Sequence, residues 1–245
     1  MSETTLALKF LDAGAVGPYS GFKWPKPRGS RPGKWVHVNG DLDMCKRGIH
    51  ACTFAQAPRW LREECYVIEL RDVVSDDGEK LLARSGRLVR RVESWDRRSL
   101  ALFAADCAAY VLPLFEKKHP KDDRPRKAIQ AARRWARNPT QKNASSAASA
   151  AYAAYAYAAY AAYADASAAY AAYAYAAYAY AAAASASSAA YAYAAAYAAA
   201  SAASAASAAS AAYASSAASA HYASASAAWQ AKRLRRYIEA PEVSA

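Results

Sequence analysis

Basic side chains alternate with aromatic ones at several points of this chain, and that pairing suits the binding of anions. Cations neutralise phosphate or carboxylate groups, while aromatic rings stack on planar ligands. Each cluster is also compatible with an ordinary solvated surface. The clusters predict an anion-binding surface made of Lys23, Trp24, Lys34, Trp35, Arg84, Arg87, Arg90, Arg124 and Arg126.

A second set of candidate contact residues lies between Ala144 and Ala228, where the chain is almost entirely alanine, serine and tyrosine. The tyrosine pattern recurs after 18 residues. That interval is about five turns of α-helix, so equivalent tyrosines would share one azimuth. The predicted ligand-binding residues of this run are Tyr152, Tyr155, Tyr170, Tyr173 and His221.

No residue pattern favours catalysis or a metal site. Cys45, His50 and Cys52 form the most metal-like group, but their spacing is not that of a zinc knuckle or ribbon, and a turn with a packed histidine explains it better. The histidines show no spacing that selects a carboxylate partner, and no glycine-rich phosphate loop is present. We therefore expect a non-enzymatic protein with no cofactor and no bound metal.

The formal net charge of the 245-residue chain is +12, which favours acidic partners such as a nucleotide, a nucleic acid or an acidic protein. The same charge would also keep an uncharged, sticky region in solution. Four cysteines without a signal-peptide pattern predict free thiols in a reducing, cytoplasmic location. The Ala/Ser/Tyr run is too polar to span a bilayer, so no membrane partner is expected.

Composition divides the chain into three parts. Residues 1–97 hold all nine glycines and short strand patterns, which predict a small α+β domain. Residues 98–139 have helical periodicity and predict a two-helix connector. Residues 140–245 are predicted as an Ala/Ser/Tyr-rich helical array with a basic closing helix. The predicted fold class is thus α+β, with a small mainly-β N-terminal domain followed by an all-α array of packed helices.

The helical interpretation of the last part rests on the absence of residues that break helices. Glycine is absent after Gly86, and no proline lies between Pro139 and Pro241. Alanine is the strongest helix former, whereas it is a poor strand former, so a β-solenoid of short repeats is the less favoured alternative. Helices without a charged face need neighbours on several sides, which predicts a homo-oligomer.

Residues 40–95 carry a Cys-x₂-Gly-x-His-x-Cys pattern from Cys45 to Cys52, the strand-like Tyr66–Leu70, and a Gly-x-Lys-Leu-x-Ala-Arg pattern from Gly78 to Arg84. This combination resembles an uncharacterised domain of phage and bacterial proteins. The resemblance implies a mobile-element setting, and therefore a host bacterial cytoplasm if a phage encodes the chain.

The stretch Phe103–Glu116, followed by Asp123–Ile129 and later by Trp229–Tyr237, resembles the alanine-rich immunity proteins of bacterial toxin systems. The resemblance implies a protein that binds and neutralises. We expect a non-catalytic binding or sequestering protein in phage–host or toxin–immunity conflict, which grips a nucleotide signal or an acidic protein surface with basic and aromatic groups. The alternatives are an oligomerising scaffold built from the alanine-rich helices and a nucleic-acid-binding protein.

Overall fold

The computed structural model describes residues 4–118, 120–143, 146 and 218–239. Within them the chain forms a β-sheet, three α-helices and a short 3₁₀ turn at Ala57–Arg59. The strands and helices are β1 (Thr4–Leu11), β2 (Val36–His37), β3 (Ile49–Ala51), β4 (Glu64–Asp76), β5 (Leu81–Arg91), α1 (Arg97–Lys118), α2 (Arg124–Arg137) and α3 (Ala218–Ile238).

The five strands form one antiparallel sheet in which β4 lies between β1 and β5, and both β2 and β3 pair with β5. The predicted turn at residues 76–78 joins β4 to β5, and the Asp76 carboxylate accepts the Gly78 amide at 2.9 Å. Strand β5 runs through Gly86 unbroken. Gly86 is needed for packing, since a Cβ atom there would lie 3.2 Å from Ile68 and Leu70.

The sheet has a hydrophobic core on each face. Side chains alternate along a strand, so Leu8 and Phe10 of β1 face one side with Cys65 of β4. Leu11 of β1 and Tyr66 of β4 face the other side. A sheet with two apolar faces must be covered on both, and here the helices cover the first face.

A long loop between β1 and β2 covers the second face. Trp24, which is buried in this core, anchors the loop, and its backbone N–H donates to the carbonyl of Ala15 at 2.9 Å. Farther along, the amide of Gly33 donates to Leu88 of β5 at 2.8 Å. The two legs of the loop touch so closely that a Cβ on Gly33 would stand 2.1 Å from the carbonyl oxygen of Pro25. The loop is therefore an ordered layer of the domain.

Helix α1 begins with a reciprocal cap. The side chain of Asp96 accepts the amide of Ser99 at 2.8 Å, and the hydroxyl of Ser99 accepts the amide of Asp96 at 2.7 Å. The helix starts at Arg97, so Asp96 precedes its first residue and Ser99 lies in its first turn. This exchange satisfies backbone donors that the first turn leaves without partners.

Trp95 joins the sheet to the helices. Its ring is fully buried and meets Phe10 of β1 and Phe103 of α1 edge-on, at centroid distances of 5.7 and 6.4 Å. Its indole N–H donates to the carbonyl of Arg62 at 2.8 Å. Leu234 of α3 belongs to the same core, although it lies far along the chain. The described helices and one face of the sheet thus share a single core.

The predicted fold class is wrong in its second half. The mainly-β antiparallel N-terminal region is present, but the all-α array following it is not supported. The α-helices that the structure describes, α1, α2 and α3, pack on one another and on one face of the sheet. The prediction failed because composition indicated helices for residues 140–245 but could not show that the last helix, through Leu234 and Ile238, shares a core with the sheet.

Other predictions lie outside the described residues or remain open. The alanine-rich run between residues 147 and 217, with its tyrosine register and expected helix breaks, is outside them. The three-part division of the chain stays a prediction. Among the described residues, no helix is both long enough and apolar enough to cross a membrane.

Candidate binding surface

One part of the helix-bearing sheet face extends beyond the helices. Leu6 alternates with Leu8 and Phe10 along β1, yet 68% of its surface is exposed. Directly opposite Leu6 on β4 lies Glu69, and the next residue of β5 in that row is Arg87. We call this area, which comprises Leu6, Trp35, Glu69, Arg71 and Arg87, the open sheet face.

Trp35 is the centre of the open sheet face. The guanidinium carbon of Arg71 lies 4.1 Å from its ring centroid, and that of Arg87 lies 4.8 Å away. Such cation–π contacts each contribute about 0.5–1 kcal/mol at exposed sites. The register of β2 against β5 places Trp35 beside Arg87, since Val36 pairs with Gly86. The half-buried indole and two guanidinium groups are therefore held in fixed positions before any ligand arrives.

The two arginines of the open sheet face differ in charge compensation. Arg87 donates from Nε to the Glu69 carboxylate at 2.6 Å, so its charge is neutralised. Arg71 has no carboxylate within ion-pair distance among the described residues, and its Nε atom finds no hydrogen-bond partner there. The charge of Arg71 is therefore the one left for an incoming anion.

Two other predicted anion-binding arginines are also paired with carboxylates. Arg124 makes two hydrogen bonds of 2.7 Å to Asp122, and Arg126 makes bonds of 2.8 and 2.6 Å to Glu116. Bidentate pairs of this kind are strong and directional. These two arginines fasten the beginning of α2, so they are poor candidates for gripping a separate ligand.

The remaining predicted residues of the sheet domain have separate roles. Arg84 donates to the backbone carbonyls of Val38 and Gly40 at 3.1 and 2.9 Å. Trp24 is buried, with the Lys9 ammonium 4.8 Å from its ring centroid, so it supports the loop from below. Lys23, Lys34 and Arg90 are exposed.

The tyrosines proposed as contacts, Tyr152, Tyr155, Tyr170 and Tyr173, lie outside the described residues. His221 lies within α3, and its backbone is helical. Of the predicted residues that the structure describes, Trp35 and Arg87 lie in contact, and Arg71, which sequence reasoning did not single out, joins them.

A buried carboxylate that sequence reasoning also missed connects the three helices. Asp106 of α1 accepts hydrogen bonds from Arg133 of α2 at 2.8 Å and from Arg233 of α3 at 2.6 Å. The hydroxyl of Tyr237 donates to the same carboxylate at 2.5 Å. Next to this group, Tyr110 of α1 stacks on Trp229 of α3 at 4.4 Å. Asp106 therefore fixes the position of α3, which is distant in sequence.

The environment of Asp106 changes the acidity of its neighbours. Burial is the main cause that raises the pKa of the Tyr237 hydroxyl, and the bond to Asp106 raises it further. Burial likewise raises the pKa of the Cys107 thiol. Both groups therefore stay protonated at neutral pH, and neither is prepared to act as a nucleophile.

The cysteine–histidine stretch forms a turn. The Nε2 atom of His50 accepts the backbone N–H of Cys45 at 3.1 Å, and Cys45 adopts a positive φ of 68°. All four cysteines are free thiols, and burial raises the pKa of Cys52 to about 12. The described residues contain no group of three or more His, Cys, Asp or Glu side chains that could hold a metal ion.

Lys9 lies under the loop that covers the second sheet face. Its ammonium donates to the carbonyl of His50 at 2.6 Å, and burial lowers its pKa to about 8. Burial is also the main cause that lowers the pKa of His50, and the nearby charge of Lys9 lowers it further. These groups are satisfied within the fold and supply no catalytic pair.

Comparison with known proteins bears on the C-terminal part of the chain. Residues 90–241 match the model of a family described as Imm-5 like putative immunity protein. The match confirms the predicted resemblance of the C-terminal part, while the resemblance predicted for residues 40–95 lies almost wholly outside it and stays a prediction. No curated protein and no solved structure matches the chain.

Proposed function

The chain belongs to the Imm-5-like family of immunity proteins, and we propose that it confers immunity by binding a bacterial toxin and not by a chemical reaction. The family match is the observation that carries this proposal, because it spans more than half of the chain and includes all three described α-helices. Asp106 is hydrogen-bonded to Arg133, Arg233 and Tyr237. Its neighbours Tyr237 and Cys107 stay protonated, because burial raises the pKa of each. Both observations favour a structural role for Asp106.

The open sheet face is the surface that we propose for contact with the toxin. It combines a half-buried tryptophan, two arginines and an exposed leucine, and it borders the helices of the family-matched region. Tryptophan and arginine are the residues that most often dominate the binding energy of protein interfaces. Their preformed stacking also lowers the entropy lost when a partner binds.

The partner that fits this face presents an acidic group. Arg71 lacks a carboxylate among the described residues, and Arg90 lies exposed on the same face opposite Val67. A carboxylate on the toxin would complete the Arg71 pair and be excluded from water by Trp35. Because the whole chain carries a net charge of +12, an acidic toxin would also be attracted over a distance.

Growth protection tests this function. A panel of bacterial toxin domains with acidic and with basic surfaces is expressed in a bacterial host, one at a time, with and without the chain. We expect the chain to restore growth against at least one toxin with an acidic surface. The purified pair should elute together in size-exclusion chromatography, and the complex should weaken as salt is raised.

The control compares two charge reversals. Arg71→Glu should abolish protection, while Arg134→Glu, at an exposed position of α2, should preserve it. Failure to protect against any toxin of the panel would contradict the immunity role. Protection without a detectable complex would contradict binding as its mechanism and would point to enzymatic modification of the toxin.

A further inference from the structure

Beyond Asp12, the loop between β1 and β2 carries charges of one sign only. From residue 13 to residue 40 the chain contains no aspartate and no glutamate. The same stretch carries cations at short, regular intervals, and all of them are exposed. These are Lys23, Lys26, Arg28, Arg31 and Lys34.

These cations are not used to hold the fold together. Elsewhere in the described residues, arginines are repeatedly matched to carboxylates, as Arg97 is to Glu63 at 2.7 Å and Arg59 to Glu79 at 2.6 Å. None of the ion pairs between described residues includes a cation of this loop. The loop therefore holds a local excess of positive charge with no internal counter-charge.

The loop is ordered although it has no long strand or helix. Arg28 and Arg31 exchange backbone hydrogen bonds of 2.9 and 3.1 Å, which fixes a tight turn at the tip. Trp24 and Gly33 fasten the two legs to the sheet, as described above. An ordered loop presents its cations without a large entropy cost on binding.

Two exposed aromatic rings stand at the base of this loop. Tyr19 is 72% exposed and Phe22 is 44% exposed. Phe22 packs edge-on against the buried Trp24 at 5.6 Å, and the Arg62 guanidinium supports the Tyr19 ring at 5.4 Å. Both rings are therefore held in place from behind and retain surface that a planar ligand can cover.

We propose that the loop Tyr19–Lys34 binds single-stranded nucleic acid. Its exposed cations match the repeating phosphates of a backbone, and its two supported rings match the unstacked bases of a single strand. An acidic protein fits less well, because three of the five cations are lysines, which are depleted in protein interfaces. This activity is separate from the proposed toxin contact, which uses the open sheet face.

Salt dependence gives the expected size of the effect. If all five cations contact phosphates, the logarithm of the binding constant falls with the logarithm of salt concentration at a slope of about −3.5. Affinity for a single strand should then drop by about 100-fold between about 50 and 200 mM salt. Removing four of the five cations should reduce that loss to about threefold.

The experiment measures fluorescence anisotropy of labelled oligo-dT and oligo-U with the purified full-length chain over a salt series. One variant combines Lys23→Gln, Lys26→Gln, Arg28→Gln and Arg31→Gln. The matched control combines Lys121→Gln, Arg134→Gln, Lys232→Gln and Arg236→Gln, which removes the same charge from exposed positions outside the loop. Circular dichroism confirms that both variants fold.

We expect the loop variant to bind at least about tenfold more weakly than the control variant at low salt and to lose most of the salt slope. Tyr19→Ala with Phe22→Ala should weaken binding several-fold while leaving the slope unchanged, because stacking does not release counterions. Equal weakening by the two charge variants would overturn the proposal. So would absence of binding at low salt, or equally effective competition by poly-glutamate, which would identify an acidic-protein site. None of these results bears on growth protection, so the toxin proposal is tested independently.

Discussion

Replacement of Asp106 by asparagine should destabilise the protein by about 2–4 kcal/mol. The carboxylate accepts hydrogen bonds from Arg133, Arg233 and Tyr237, and its side chain is only 9% exposed. Asparagine keeps the shape but removes the negative charge and one acceptor, so two guanidinium groups remain together without a counter-charge. The arginines are about one-third exposed, which places the loss below the upper limit for a fully buried pair.

Urea unfolding followed by far-ultraviolet circular dichroism measures this effect. Asp43→Asn is the matched control. Asp43 pairs with Lys46 at 3.0 Å, but both side chains are exposed to solvent, so the pair should contribute little to the free energy of unfolding. We also expect Asp106→Asn to expose α3 preferentially in hydrogen exchange, because the bonds from Arg233 and Tyr237 to Asp106 join that helix to α1. A loss no larger than that of the control would show that Asp106 does not hold the helices.

Replacement of Trp95 by alanine should cost about 3–5 kcal/mol. The indole is fully buried between Phe10 of β1 and Phe103 of α1, so its removal leaves a cavity at the contact between sheet and helices. It also leaves the carbonyl of Arg62 without its donor. Because both elements lose packing together, unfolding should remain a single transition at a lower urea concentration.

Two controls interpret the Trp95 result. Trp95→Phe retains a ring and should recover most of the stability, with the lost hydrogen bond costing about 1 kcal/mol. Trp35→Ala removes a tryptophan that is only half-buried together with its two cation–π contacts, and it should cost about 1–2 kcal/mol, less than Trp95→Ala. If Trp95→Ala melted the helices while the sheet remained folded, the shared core would be refuted.

Local features of the fold were predictable where neighbouring residues determine them. The strand at Tyr66–Leu70, the turn at Gly78 and the helix ending at Arg137 follow from alternation, turn chemistry and helical periodicity. The strand β1 was not predicted. Apolar residues on both faces of β1 weaken its alternation, and its partners, such as Cys65 opposite Phe10, are distant in sequence. The formation of strand β1 therefore depends on long-range pairing and not on the local residue pattern.

Charged residues show the same limit. Arg124 and Arg126 look like a basic patch in sequence, yet Asp122 and Glu116 neutralise them. Asp106 bonds to Arg233 across 127 positions, a pairing that no spacing rule gives. A signal for Asp106 did exist, because it is the first acid of α1 and stands among alanine, phenylalanine and cysteine on a buried stretch. A lone carboxylate in such a place needs partners.

The open sheet face combines predictable and unpredictable parts. Trp35 and Arg87 were candidates because of their types, whereas Arg71 joins them only because β4 lies beside β5. The residues were thus identifiable as ligand-binding types, but their arrangement depended on the register of three strands. That register also separates Trp35 from the predicted partner Trp24, which is buried under the loop.

Titration calorimetry between the chain and the toxin that it protects against tests the central claim most directly. The claim is that immunity arises from binding at the open sheet face. Trp35→Ala and Arg71→Ala should each weaken the complex by at least about 30-fold, the effect of a hot-spot residue of about 2 kcal/mol, while Arg134→Ala should change it by less than about twofold. Unchanged affinity in folded Trp35→Ala and Arg71→Ala proteins would contradict the account.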